Sequence, residues 1–385
     1  MTTIYLDNNA TTLIDPRVAD HMASLYRARL ANPSSQHAAG RHARQVIEQA
    51  REDLLVACGG RAQGMASDQV VFTSGGTESN NMAVLGFAAM RPGAIIVSSI
   101  EHSSVIAAAQ YLESKGRTIR YLPCASSGIV DLEMLQQWIQ NDPTGIACVS
   151  VMFANNETGV VQPVAEIGRM CRAAGVPFHT DAVQGFCKVS LAFEDLNADA
   201  MTVTSHKLHG PLGIGALVLR HGVNMLPHHY GGAQQLGLRP GTEMPVLASG
   251  FAMAVKLARQ GLAERADHMK KLREFFEVEV KSIAPNARII GSESPRLPHT
   301  CCIAFAGQDR QAIQIALDHQ SIACSAGSAC ASGSSQPSHV LQAMRLDSDT
   351  VRSAVRFSLS WETTPQEIES TVAAIRSVLD RMTKH

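Results

Sequence analysis

Three features of this chain could do chemistry together. Lys207 stands in Thr204-Ser205-His206-Lys207, just after an apolar run. Asp181 closes an earlier run of the same kind, and a Gly-rich turn, Ser74-Gly75-Gly76-Thr77, follows one earlier still. An amine at a strand end can condense with an aldehyde, and a strand-end carboxylate can face a ring nitrogen. Glycines let the backbone close around a phosphate at a helix start. Those are the three grips that pyridoxal 5'-phosphate requires, and they predict an enzyme acting on amines, chiefly amino acids.

Taken singly, each feature also has a plainer reading. The turn is equally a tight strand–helix connection, and no lysine follows its glycines as a nucleotide-binding loop would need. Asp181 is also placed to cap a helix beginning at Ala182-Val183-Gln184. A lysine is usually a solvated surface residue, although the apolar strand and His206 beside Lys207 argue against that here. A fourth segment, Cys324-Ser325-Ala326-Gly327-Ser328-Ala329-Cys330-Ala331-Ser332-Gly333-Ser334-Ser335, is small, polar and Gly-rich, which predicts a mobile loop. Cys330 on such a loop is placed to be an accessible thiol carrier, or else an incidental surface cysteine.

The elements that must position these residues alternate in the α/β manner. Val- and Ile-rich runs predict strands at Gln69–Thr73, Ala94–Ser98, Thr118–Leu122, Gly145–Met152, Pro177–Asp181, Ala200–Thr204 and Gly213–Leu219. Several are continuously apolar, which suits a mostly parallel sheet covered on both faces by helices. Between them Ala43, Ile47, Ala50 and Leu54 mark the stripe of a helix over Arg41 to Ala57. Arg220 to Pro245 reads as loops. A long amphipathic helix then carries Leu262, Ala266, Met269, Leu272, Phe276 and Ile283, and strand-like runs follow at Thr300–Ala306 and Ala354–Ser360. Thr364, Pro365 and Glu367 spell a capping box for a final helix. The expected division is a large domain over residues 15–255, with 1–14 and 256–385 forming a smaller α+β domain.

Bulk properties bound the function. The chain has 385 residues and a formal net charge of −1, which predicts neither a nucleic-acid partner nor an anionic membrane surface. No apolar stretch approaches the roughly 20 residues that span a bilayer, and the N-terminus lacks the pattern of a secretory signal. A cytoplasmic protein is expected. The nine cysteines lack paired-ligand spacing, so no disulfide framework and no metal site is expected. Cys58, Cys148, Cys171 and Cys187 read as small buried hydrophobes.

With these residues in place, the chain resembles the cysteine desulfurases, pyridoxal-phosphate enzymes of the class V aminotransferase group and of transferase fold type I. The resemblance is carried by Tyr5-Leu6-Asp7-Asn8-Asn9-Ala10-Thr11-Thr12, Thr73-Ser74-Gly75-Gly76-Thr77-Glu78-Ser79-Asn80, Glu101-His102 and Asn155-Asn156-Glu157-Thr158-Gly159. It continues through His179-Thr180-Asp181-Ala182-Val183-Gln184, Ser205-His206-Lys207-Leu208-His209-Gly210-Pro211, Gly327-Ser328-Ala329-Cys330 and Arg356-Phe357-Ser358-Leu359. These motifs run in family order over nearly the whole chain.

The resemblance implies that Lys207 holds the coenzyme covalently and that Asp181 pairs with its ring nitrogen. Gln184 and Asn156 would meet the ring's phenolic-oxygen side, and His102 would stack on its face and move protons. Gly76, Thr77, Thr204 and His206 would grip the phosphate, completed by Thr242 from the partner of a homodimer. Arg356, with Asn32, would bind the substrate carboxylate, and Asn156 would also reach the substrate. L-cysteine is the implied substrate, alanine the product, and Cys330 the persulfide carrier that serves a sulfur-acceptor protein such as an iron–sulfur scaffold. The stretch from Cys330 to Leu341 is similar to the long-loop branch of the family.

The chain departs from the family pattern in places. Gly231-Gly232-Ala233-Gln234-Gln235-Leu236-Gly237 has lost an arginine, Leu212 stands where lysine is common, and Ser360-Trp361 replaces Gly-Arg. The tail to His385 is shorter than that of housekeeping members, so scaffold docking through it is not implied. Cys324 is expected to be buried rather than a sulfur relay. Two other functions fit part of the pattern: an aminotransferase or lyase on another amino acid, which has no need of Cys330, and a non-catalytic binding module on the same fold.

Overall fold

The computed structural model describes residues 3–142, 145–327 and 336–382. Twelve strands are seen among them: β1 (Ile4–Tyr5), β2 (Gln69–Thr73), β3 (Ala94–Ser98), β4 (Ile119–Leu122), β5 (Ile146–Ser150), β6 (Phe178–Asp181), β7 (Ala200–Thr204), β8 (Gly215–Leu219), β9 (Arg288–Ile289), β10 (Thr300–Ala304), β11 (Ile322–Ala323) and β12 (Ala354–Ser358). β2 to β8 form one seven-stranded sheet in the order β2-β8-β7-β6-β5-β3-β4. β8 runs antiparallel to both its neighbours, and every other pairing is parallel. β3, β5, β6, β7 and β8 are buried along their whole length, as continuously apolar runs covered on both faces must be.

This topology decides where the site can be. Because β8 is antiparallel to both β2 and β7, β2 points the same way as β7, and so do β6, β5 and β3. The carboxyl ends of those five strands share one edge. Residues that follow them, namely Gly76, His102, Asn156, Asp181 and Lys207, are therefore brought to the edge where open α/β sheets bind ligands.

The expected seven strands are the seven of this sheet: β2, β3 and β7 have the expected bounds, and the other four are shorter by one to three residues. Three two-residue strands carried no readable pattern: β1 pairs with β11, and β9 with β10. β10 pairs antiparallel with β12 and forms a second core with the helices Leu262–Ile283, Arg310–Asp318 and Pro365–Met382. Leu6 joins that core, so the N-terminal strand packs there. The capping box is formed: Thr364 N–H donates to Glu367 Oε2 at 2.8 Å and Glu367 N–H to Thr364 Oγ at 3.3 Å. A helix over Pro245–Arg259 continues four residues past the expected boundary at 255. Its Phe251, Ala254, Val255 and Ala258 are buried, and the chain breaks only at Gly261, whose φ of 65° suits glycine. No described helix is long and apolar enough to cross a membrane.

Candidate active site

A cavity of about 250 Å³ opens at the carboxyl edge of the sheet. Its walls include Lys207, Asp181, Gln184, Asn156, His102, Gly76, Thr77, Thr204, His206 and Arg356, ten residues that are far apart in the chain. Two expected site residues do not line it. Asn32 is exposed, its Oδ1 accepting from Ser34 N–H at 2.9 Å, and Thr242 is exposed in the loop before Pro245. Cys330 lies outside the described residues. The chain leading to it is fixed at Ser325, whose backbone exchanges hydrogen bonds of 3.0 and 2.7 Å with that of Arg356.

Each wall has a local cause. Lys207 closes the short 3₁₀ turn Ser205–Lys207 that β7 runs into, and its ammonium donates to the carbonyls of Asn9 and, at 2.6 Å, Ala10. Gln184 Nε2 donates to the same Asn9 carbonyl at 3.1 Å. Asp181 ends β6 at 5 % exposure; its Oδ1 accepts from Val183 N–H at 2.9 Å and its Oδ2 from Asn80 Nδ2 at 2.6 Å. The Val183 bond resembles the cap that a strand-end aspartate was also suited to form, but residues 183–188 are turns and not the expected helix. Gly76 opens the helix Gly76–Met90, where first-turn N–H groups lack partners within the helix. A Cβ on Gly76 would come within 3.1 Å of Val183 Cγ2, a crowded contact that glycine avoids at this helix start. Ser74 N–H donates to Glu78 Oε2 at 2.6 Å and Arg239 pairs with Glu78 at 2.9 Å, which pins this turn.

Charge in the site is tightly arranged. Arg356 is 2 % exposed; its Nη2 meets Asp7 Oδ1 at 2.6 Å and its Nη1 the Asn156 carbonyl at 3.0 Å. Burial, helped by the Lys207 charge, pushes the His206 imidazole down to about 4, and its Nδ1 lies 3.2 Å from Thr11 Oγ. Thr204 Oγ donates to the Ile214 carbonyl at 3.2 Å. Burial pushes the Glu101 carboxyl up to about 8, against the pull of its Ser98 hydrogen bond and with help from Asp181.

Reasoning from sequence assigned no role to Asn9, Ala10, Asn80, Met152, Ala154 and Val183, which also line the cavity. Asn9, Ala10 and Asn80 lie inside motifs that the chain shares with the desulfurases, and that was the signal to follow. Asn9 acts mainly through its backbone carbonyl, and its side chain is held by the Asn156 carbonyl, Thr300 and His299. Of the departures, Leu236 is exposed, while its neighbour Gln235 ties Phe72 N–H, Arg51 and Glu243 together. Trp361 is stacked 4.0 Å from the His209 ring and 4.3 Å from the Arg265 guanidinium carbon. Cys324 is buried, and burial pushes its thiol up to about 12, the wrong direction for a sulfur-carrying thiolate. Cys58, Cys148, Cys171 and Cys187 are buried as expected. Among the described residues no cluster of ligating side chains could hold a metal ion.

A lysine just past one strand and a carboxylate ending another thus share one cavity beside a glycine-opened helix start, and the fold is that of the NifS-like pyridoxal-phosphate proteins of fold type I. Residues 4–370 match the family Aminotransferase class-V, and the chain belongs to that family, among its cysteine desulfurases. It is 36 % identical to "Cysteine desulfurase NifS" of Azotobacter vinelandii, over 99 % of this chain and 94 % of that one. It is 40 % identical to a "Cysteine desulfurase" of Bradyrhizobium diazoefficiens, over 98 % and 95 %. The solved NifS-like protein from Rickettsia africae ESF-5 superposes with a TM-score of 0.90 at 35 % identity, covering 98 % of this chain and 99 % of that one. These relatives lend no support to an aminotransferase acting on another amino acid or to a non-catalytic module.

Proposed function

We propose that this chain is a pyridoxal 5'-phosphate-dependent cysteine desulfurase. It would convert L-cysteine to L-alanine and pass the sulfur, as a persulfide on Cys330, to an acceptor protein such as an iron–sulfur scaffold. The observation that carries the proposal is that Lys207 and Asp181 line the same cavity as Arg356. The donor set fits the coenzyme: an amine for its aldehyde, a carboxylate for its ring nitrogen, and helix-start N–H groups for its phosphate. Asn156 Oδ1, buried and without a hydrogen-bond partner among the described residues, is an acceptor that a bound group would satisfy. When bound, the coenzyme supplies an electron sink for charge left at the substrate's α-carbon.

The chain's own residues divide the remaining work. Lys207 would hold the coenzyme, Asp181 would pair with its ring nitrogen, and Gln184 and Asn156 would meet its phenolic-oxygen side. Gly76, Thr77, Thr204 and His206 bind the phosphate with Thr242 of the partner subunit, which accounts for Thr242 lying off the cavity within one chain. Arg356 takes the substrate's carboxylate through paired N–H donors, with Asn32 assisting. His102 covers the ring face and carries a proton. Cys330, as thiolate, attacks the sulfur of L-cysteine: an S–S bond forms, the S–Cβ bond breaks, and its electron pair stays on carbon, which is protonated to the methyl of alanine. Residues 15–255 would form the coenzyme-binding unit, and 1–14 with 256–385 the unit bearing the cysteine loop. The enzyme would act as a cytoplasmic homodimer.

The experiment is to incubate the purified protein with L-cysteine, a thiol reductant and coenzyme, and to measure alanine and sulfide together. Both should appear in equal amounts, and both should collapse in Cys330→Ser while that variant keeps its coenzyme colour. Full turnover by Cys330→Ser would overturn the persulfide route. A Lys207→Ala protein that holds the coenzyme as tightly as wild type would overturn the assignment of the cavity.

A further inference from the structure

We infer that Ser104 is a positioning residue that fixes the tautomer of His102 and ties it, through Asn80, to Asp181. The inference rests on reading the cavity as the coenzyme and substrate site. It starts from counting hydrogens. Asn80 is 1 % exposed, and its amide nitrogen has two hydrogens. One goes to Asp181 Oδ2 at 2.6 Å and the other to Ser104 Oγ at 2.9 Å. Turning the amide over would set its oxygen against a carboxylate oxygen at that same short distance, so the orientation is determined by the contacts. Asn80 Oδ1 is left buried and without a partner among the described residues, a cost accepted to aim both N–H bonds this way.

Ser104 Oγ therefore accepts from Asn80, and its single hydrogen remains for His102 Nδ1, 2.8 Å away. The backbone N–H of Ser104 also donates to Nδ1, at 3.2 Å, because His102 caps the helix Ser103–Ser114. Two donors on Nδ1 leave that nitrogen its lone pair. The hydrogen of the neutral ring is then on Nε2, so His102 enters the reaction as a proton donor there. One hydroxyl thus holds the group on the ring face and, through one amide, the acid at the ring nitrogen. A catalytic histidine in the wrong tautomer is largely disabled, which makes this hydroxyl matter although it lies behind the cavity wall.

The test reads the tautomer directly. Full-length protein is labelled with ¹⁵N at histidine, and the His102 ring signals are assigned by their loss in His102→Gln, at about pH 8.5 where an imidazole is ordinarily neutral. Wild type should show hydrogen on Nε2 and a hydrogen-bonded lone pair on Nδ1. Ser104→Ala should lose the hydrogen-bond shift at Nδ1 and lower kcat for alanine formation about 10-fold, with KM changed by less than about twofold. Ser104→Thr, which keeps the hydroxyl, should restore both. Hydrogen on Nδ1 in wild type, or a Ser104→Ala spectrum identical to wild type, overturns the inference. The wild-type spectrum alone decides the tautomer if Ser104→Ala fails to fold. A wild type that makes no alanine defeats the desulfurase reading instead, with the tautomer still legible.

Discussion

Asp7 Oδ1 lies 2.6 Å from Arg356 Nη2, so the arginine proposed to grip the substrate's carboxylate is already paired with one from its own chain. The partner comes from the loop just after β1, and Arg356 sits in the middle of β12. The pair joins the first residues of the chain to nearly the last. Arg356 Nε is buried without a partner among the described residues, where the guanidinium is held by Asp7 and the Asn156 carbonyl.

Asp7→Ala should therefore destabilise the fold by about 1.5–3 kcal/mol, the usual worth of a hydrogen bond to a buried charged group. Urea melts monitored by circular dichroism measure it. A loss below about 0.5 kcal/mol would mean that the guanidinium is held without the carboxylate.

Glu101 predicts a pH signature. Its carboxyl titrates near 8 in the fold against 4.5 when free, because burial disfavours the charge. The folded protein keeps this proton through a window where the unfolded chain has lost it. Its contribution is fully present below pH 4.5, declines as pH rises, and is gone once the pH passes about 8. Glu101→Gln carries no such titration. The stability difference, variant minus wild type, should rise steadily between those two values in denaturant melts. A flat difference would show that Glu101 is ionised in the fold.

Leu236 has φ of 62°, in the left-handed region, and its side chain is exposed. A non-glycine residue costs about 1–2 kcal/mol there. Glycine removes that strain and adds about 0.4–1 kcal/mol of unfolded-state freedom, so Leu236→Gly should gain about 0.5–1 kcal/mol. Thermal melts at several protein concentrations test it. A loss of stability that grows with concentration would show that Leu236 is held by a second copy of the chain.

The large sheet was legible because most of its strands are short apolar runs, and Asp181 and Lys207 were legible because one ends β6 and the other stands just past β7. β1, β9 and β11 were not, since two residues carry no period. The partners of Lys207 were hidden for a different reason: it is met by the backbone carbonyls of Asn9 and Ala10, which any side chain could have offered. Ser104 was equally silent, because its role comes from packing beside Asn80, 24 positions earlier. The consequence of Trp361 was missed in the same way: no local pattern announces that it stacks on His209 and Arg265.

The Asn9 and Ala10 carbonyls that receive the Lys207 ammonium follow β1, which pairs with β11, more than three hundred positions downstream. A ribosome therefore delivers this loop more than three hundred residues before its docking strand. A nascent chain carrying the whole seven-stranded sheet would still lack one wall of its reaction chamber. That wall should close only after β11 and β12 have been made.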